Sequence, residues 1–196
     1  MIEVRRQVLS CRRCGLHRVG HGPVPFRGPV PARLAMVGEA PGPVEDEQGA
    51  PFVGPSGKLM DELFIASGID PAGVFVCNTV SCYPKRTPDG DEREACRPNL
   101  LAQLAIASPR FILLLGGVAL TAFKGMNESM GFWCDRVFPW EHPETGRRSF
   151  VWPTYHPAAA LRSGRYRTRL QASVSALGAR LGSEQGDLGP EPWWGR

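Results

Sequence analysis

The sequence predicts an α/β protein, a three-layer αβα sandwich built around a mostly parallel sheet. Short apolar runs of strand length recur along the chain, and amphipathic helical stretches separate them. Runs that are apolar throughout suit strands buried on both faces, the environment of a parallel sheet covered by helices on each side. A length of 196 residues suits one large domain with a sizeable core.

The first strand expected is "LAMV", residues 34–37. After a long Gly- and Pro-rich loop, "SGKLMDELFIASG" repeats apolar residues at 59, 60, 63 and 64 and closes on Gly68, which reads as a helix with a glycine stop. "VFVCN" (74–78) is the second strand. "DEREACRPNLLAQLAIAS" then opens with acids, which favour a helix N-terminus, and stops before Pro109. "FILLL" (111–115) is the third strand and "GVALTAFKG" a helix ending on Gly125. "SFVW" (149–152) is the fourth strand, and a last helix is expected from about Arg167 to Leu181. The tail "SEQGDLGPEPWWGR", with Trp193 and Trp194, has no periodicity and reads as disordered. The expected organisation is therefore one domain over residues 1–182 and a tail over 183–196, without internal repeats.

Charge is uneven. The formal net charge is only +4, yet Val4 to Gly38 holds seven arginines and no acid, and Thr145 to Ser183 holds seven more and no acid. Two basic flanks around a neutral-to-acidic middle point to a polyanionic partner. The competing reading is a solvated surface in an arginine-rich chain, which has 20 Arg and three Lys. No apolar run approaches the ~20 residues of a membrane span, and "MIEVRRQVLS" has no signal-peptide core. A cytoplasmic protein that does not engage a membrane is the expectation.

In open parallel sheets, ligands bind at the carboxyl ends of the strands. Glu39 follows the first strand, Asn78 ends the second and His156 follows the fourth, so three polar groups of different chemistry gather on one rim. Phe52, between Pro51 and Val53 in the irregular loop, reads either as a core plug or as an aromatic wall of the same site.

Six cysteines are present. Cys11 and Cys14 form a CxxC pair, and Cys82 and Cys96 flank the loop "YPKRTPDGDEREA". Two pairs in a chain without a secretion signal suggest a metal site rather than disulfides. Zinc and a 4Fe–4S cluster both accept four thiolates. The 13 residues between Cys82 and Cys96 are unlike the short knuckles of zinc ribbons, and Arg12, Arg13, Arg86 and Arg97 would offset the negative charge of a thiolate-bound cluster. Cys82 and Cys96 as ordinary buried thiols is the alternative. Cys77 and Cys134 read as plain core or surface residues.

The strings "GEAPGPVEDEQGAPFVGPSGKLMDELF", "VFVCNTVSCYP", "EACRP", "SPRFILLLGGVALTAF" and "YHPAAALR", in that order over residues 8 to 181, resemble the family 4, iron–sulfur uracil-DNA glycosylases. The resemblance implies the uracil-DNA glycosylase fold, with a four-stranded parallel sheet between helices, and a 4Fe–4S cluster held by Cys11, Cys14, Cys82 and Cys96. It implies hydrolysis of the bond between deoxyribose and uracil in single- or double-stranded DNA by a monomer. Glu39 and His156 would be catalytic. Gly38, Ala40, Phe52 and Asn78 would receive the base, Phe52 by stacking and Asn78 through a carboxamide that both donates and accepts. Glu39 would stabilise the cationic sugar and orient water, and His156 would hydrogen-bond the developing anion at uracil O2. Glu45 and Asp46 would support them. Pro157, Leu161, Arg162 and Arg165 would contact DNA, with Leu161 as a minor-groove wedge.

The chain departs from the family pattern at Ala159, where an aromatic residue is usual, in a slightly short loop between Cys82 and Cys96, and in the Pro-rich segment "HGPVPFRGPVPARL". The basic, histidine-bearing insertion of a subgroup that traps uracil-DNA covalently is absent after Cys82. Two rival functions share the same pocket: a glycosylase for another deaminated or modified base, and a non-hydrolytic sensor of uracil.

Overall fold

Alternation of side chains along the apolar runs decides the layers. The structure, a computed structural model, describes residues 1–125 and 129–183. In chain order the elements are α1 (Ile2–Leu9), β1 (Leu34–Gly38), α2 (Pro43–Gln48), α3 (Pro55–Ala66), β2 (Val74–Asn78), α4 (Gly90–Ala107), β3 (Phe111–Leu115), α5 (Gly117–Lys124), α6 (Met130–Trp133), β4 (Phe138–Glu141), β5 (Arg148–Thr154), α7 (Pro157–Arg162) and α8 (Gly164–Ser183).

The sheet order is β2-β1-β3-β5-β4. β1 pairs in parallel with β2 and β3, and β3 pairs in parallel with β5. The four expected strands are thus adjacent and parallel. The sheet has five strands rather than four, because β4 pairs antiparallel with β5 at the edge. Its sequence, "FPWE", alternates half-buried and exposed positions and carries Pro139 and Glu141. A half-exposed strand has no continuous apolar run, so the signal that marks the inner strands is missing at this edge.

On one face, Met36, Val76, Leu113 and Trp152 pack against Leu59, Met60, Leu63 and Phe64 of α3 and Leu170, Val174 and Leu177 of α8. On the other, Val37, Phe75, Ile112, Leu114 and Val151 pack against Leu100 and Leu104 of α4 and Leu120 of α5. Each of these side chains contributes roughly 1.5–3 kcal/mol when fully buried. Cys77 lies in the second layer as a core residue, and Cys134 is also buried.

Three further differences from the sequence expectation have local causes. The loop after β1 contains α2, a helix too short to show a period, started by Pro43 at its first turn and closed by Gly49 at φ 66°. The Pro-rich segment before β1 covers the outer edge of β2: Arg27 bridges Val76, and buried Phe26 stacks on Phe75. α8 is longer than expected and includes Ser183, while residues 184–196, with Trp193 and Trp194, lie outside the described residues. Among the described residues, no helix is long and apolar enough to cross a membrane.

Candidate functional site

The carboxyl ends of β1 and β2 meet where Gly38 pairs with Asn78. A Cβ built on this glycine would stand 2.5 Å from Asn78 Oδ1 and 2.5 Å from Phe52 Cζ. The missing side chain therefore lets the amide and the ring converge on one point. Asn78 is the last residue of β2 and is buried, and among the described residues its Oδ1 accepts no hydrogen bond. A buried acceptor without a donor costs free energy, so it marks a place where a ligand N–H fits. Gly38 O is fixed by Thr79, whose N–H and Oγ1–H both donate to it, at 2.8 and 2.9 Å.

Phe52 is buried yet belongs to no regular element. Its φ of 54° places a non-glycine residue in the left-handed region. The ring centroid lies 6.3 Å from that of His156, at 37°. Glu45 holds the loop: its carboxylate accepts from Gly54 N at 2.7 Å and Gly42 N at 3.2 Å, tying together the two ends of the segment that carries α2. Asp46, also buried, accepts from His21 N and faces His21 Nδ1 at 2.9 Å. Both acids thus tie the loop to neighbouring backbone.

Glu39 and His156 share an open cleft of about 350 Å³ with Ala40, Pro41, Tyr83, Thr87, Ala159 and Arg162. Burial raises the Glu39 carboxyl above the ordinary carboxylate range, while a Thr87 hydrogen bond and the Arg93 charge partly offset this. His156 caps α7, and its Nδ1 accepts the Ala158 N–H at 3.1 Å. An acceptor at Nδ1 leaves the proton of the neutral ring on Nε2. Burial first, and then the Arg162 guanidinium, lower the His156 pKa to about 4 against an opposing effect of Glu45. Near neutral pH the ring is an uncharged N–H donor.

The structure therefore brings Gly38, Glu39, Ala40, Phe52, Asn78 and His156 into one contiguous region. Arg162 lines its mouth. Pro157 is buried at the start of α7, Leu161 is 46% exposed, and Arg165 is exposed on α8 outside the cleft lining. Residues that sequence reasoning missed are Thr79, Thr87, Arg93 and Tyr83. Three of them sit in or next to irregular loops, where no period announces which way a side chain points.

Cys11, Cys14, Cys82 and Cys96 line a second cavity together with His17, Val80, Ser81 and Asn99. None of the four is in a disulfide. Burial pushes the Cys82 thiol up to about 12, and the neighbouring Cys96, Cys14 and Cys11 add to the rise. The Cys96 thiol is raised for the same leading reason, although Ser81 hydrogen bonds oppose it. Raised thiols such as those of Cys82 and Cys96 hold their protons until a bound cation displaces them. Among the described residues, no three His, Cys, Asp or Glu side chains are grouped closely enough to hold a single metal ion. Buried Asn99 adds an Nδ2–H without a partner, while its Oδ1 accepts from Arg13 at 2.8 Å.

The sequence model of the uracil DNA glycosylase superfamily matches residues 25–177. A type-4 uracil-DNA glycosylase of Pyrobaculum aerophilum is 36% identical over 180 residues, which is 88% of this chain and 90% of that protein. The type-4 uracil-DNA glycosylase of Archaeoglobus fulgidus is 33% identical, covering 95% and 96% of the two chains. That of Thermotoga maritima is 38% identical, covering 82% of each.

The environment of His156 makes a direct prediction. With a folded-state value of about 4 against an ordinary 6.5, the ring stays neutral at pH 5. The stability linked to it is complete above the ordinary value and is lost as pH falls from about 6.5 through about 4. NMR of the four ring-labelled histidines, with His156 assigned by His156→Ala, checks this. A His156 titration near the ordinary value would place the ring in water and contradict the buried geometry.

Proposed function

The chain belongs to the uracil DNA glycosylase superfamily, and on that premise we propose that it hydrolyses the N-glycosidic bond of uracil in DNA, leaving an abasic site. The observation that carries this reading is the partnerless, buried Asn78 Oδ1 beside the Phe52 ring. Uracil offers an N3–H donor next to its O4 acceptor, which complements a carboxamide. Cytosine presents a bare N3 and an amino group, the opposite polarity, so two groups would be mismatched. The substrate is uracil-containing DNA, single- or double-stranded, acted on by a monomer in the cytoplasm.

A base in DNA must leave the stack before a protein reads it to this depth. In the proposed complex the extruded uracil stacks on Phe52 and donates N3–H to Asn78. As the C1′–N1 bond breaks, its electron pair moves onto the base and positive charge develops on the sugar. His156, held neutral, donates from Nε2 to uracil O2 as that oxygen becomes anionic. A neutral donor suits this task because it need not be neutralised first. The Glu39 carboxylate faces the cationic sugar and orients the water that adds to C1′. Arg162 at the mouth, together with Arg165 and Pro157, holds the backbone, and exposed Leu161 fills the space that the base leaves.

Cys11, Cys14, Cys82 and Cys96, which line one cavity, are the residues that would hold a 4Fe–4S cluster. What supports this is the four free thiols around one cavity and, among the described residues, an Asn99 N–H without a partner at its wall. Bound there, the group would tie its four ligand residues together. Cys82 lies four residues after Asn78, so these thiols fasten the N-terminal segment to the loop that leaves the pocket.

Three experiments test these assignments. Glu39→Gln and His156→Ala should each slow single-turnover uracil release by on the order of 10²–10³ and weaken binding of uracil-DNA far less. Phe52→Ala should also lose ground-state affinity, by about 1–3 kcal/mol. Because the Glu39 carboxyl is raised and must be ionised, wild-type release should fall on the acid side above the ordinary carboxylate value of 4.5, and Glu39→Gln should lack that limb. A wild type that binds uracil-DNA tightly but releases no base would make the protein a sensor.

Protein purified without oxygen should be brown and hold about four irons per chain. Stoichiometric zinc without visible absorption would give the thiols to zinc instead.

Affinity for undamaged DNA should fall with salt with a log–log slope of roughly −0.9 per neutralised phosphate. Replacing Arg162 and Arg165 together should flatten the slope and weaken all sequences alike. An unchanged slope would move the DNA path away from α7 and α8.

A further inference from the structure

We infer that Arg27 is a positioning residue: it holds the backbone of Phe52 in the left-handed turn that presents the ring to the pocket, and thereby sets the rate of base release. This rests on the glycosylase reading of that pocket. The left-handed region is disfavoured for a residue with a bulky side chain, and it persists only where neighbours over-determine it. At Phe52 the neighbours act from three sides. On the helix side, a Cβ on Gly57 of α3 would lie 1.9 Å from Phe52 O, so helix backbone is pressed directly against this peptide. On the pocket side, the ring lies against Gly38. On the third side stands the Arg27 guanidinium.

That guanidinium spans two successive carbonyls. Nε donates to Pro51 O at 2.9 Å and Nη2 to Phe52 O at 3.4 Å. The peptide planes before and after the Phe52 Cα are therefore held by one rigid fork, which restrains φ and ψ together. Arg27 is itself fixed to the sheet. Its N–H donates to Val76 O at 3.0 Å, and Val76 N–H donates back to Arg27 O at 2.8 Å. Asn78 lies two residues further along the same strand. The stacking ring and the amide that reads the base are thus both referenced to β2, one through Arg27 and one directly. A change at Arg27 shifts one against the other without touching either.

The same guanidinium also lies 3.6 Å from Asp61 Oδ1, but this pair is substantially exposed and contributes little. The fork, rather than the charge, is what positions Phe52. Lysine keeps the charge opposite Asp61 and loses the fork, so it separates the two roles.

The test uses the full chain. R27M and R27K should both slow single-turnover uracil release by about tenfold, whereas Asp61→Asn should change it by less than about twofold. In a Phe52→Ala background, R27M should add less than about twofold, because the group it positions is gone. In protein labelled with 4-fluorophenylalanine, the Phe52 resonance, assigned by Phe52→Leu, should shift or broaden in R27M and R27K without any substrate. Release by R27K at the wild-type rate would assign the effect to the ion pair and overturn the proposal. Equal slowing by R27M in both backgrounds, or an unmoved Phe52 resonance, would overturn it too. Should R27M fail to fold, R27K carries the same comparison. A wild type that releases no uracil would defeat the glycosylase reading alone, since the fluorine resonance still decides whether Arg27 places Phe52.

Discussion

The close approach of Asn78 Oδ1 and the Phe52 ring across Gly38, each 2.5 Å from where a Cβ would stand, is the constraint from which the pocket follows. A side chain at position 38 would push the amide and the ring apart and fill the space between them. The surrounding contacts preserve this convergence. Thr79 holds the Gly38 carbonyl, Glu45 pins the two ends of the α2 segment, and α3 meets Phe52 through Gly57. Each fixes backbone rather than side chain, so the walls of the pocket are placed by peptide geometry.

Burial then sets the chemistry. It moves Glu39 up and His156 down, so that the carboxylate becomes more basic and the imidazole is uncharged near neutral pH. The two groups face one cleft and are shifted in opposite directions by the same effect. Burial also raises the thiols of Cys82 and Cys96, which therefore need a positively charged body to become ligands. A single physical effect prepares both the hydrolytic site and the cysteine cavity.

The parallel strands were legible because each contains a short continuous apolar run. β1, β2 and β3 are buried throughout, and the runs 34–37, 74–78 and 111–115 show it directly. The edge strand β4 was not legible, since solvent on one side breaks up its apolar run. In the site, Glu39, Asn78 and His156 could be placed because strand ends are themselves legible. Phe52 could be named from family resemblance, but its φ of 54° and the Arg27 fork that spans its carbonyls have no sequence signal. A loop's sequence does not specify which distant backbone groups it will touch.

By itself, the sequence determined the α/β class, the order of the inner elements, the rim that carries the polar residues and the two cysteine pairs, because apolar periodicity and residue spacing are local properties. Tertiary structure alone decided three things: the protonation preferences of Glu39 and His156, the meeting of four cysteines from separated segments, and the dependence of Phe52 on an arginine 25 residues earlier in the chain. Desolvation, convergence and backbone clamping arise only when remote segments exclude water from one another, and no stretch of chain contains that information before it folds.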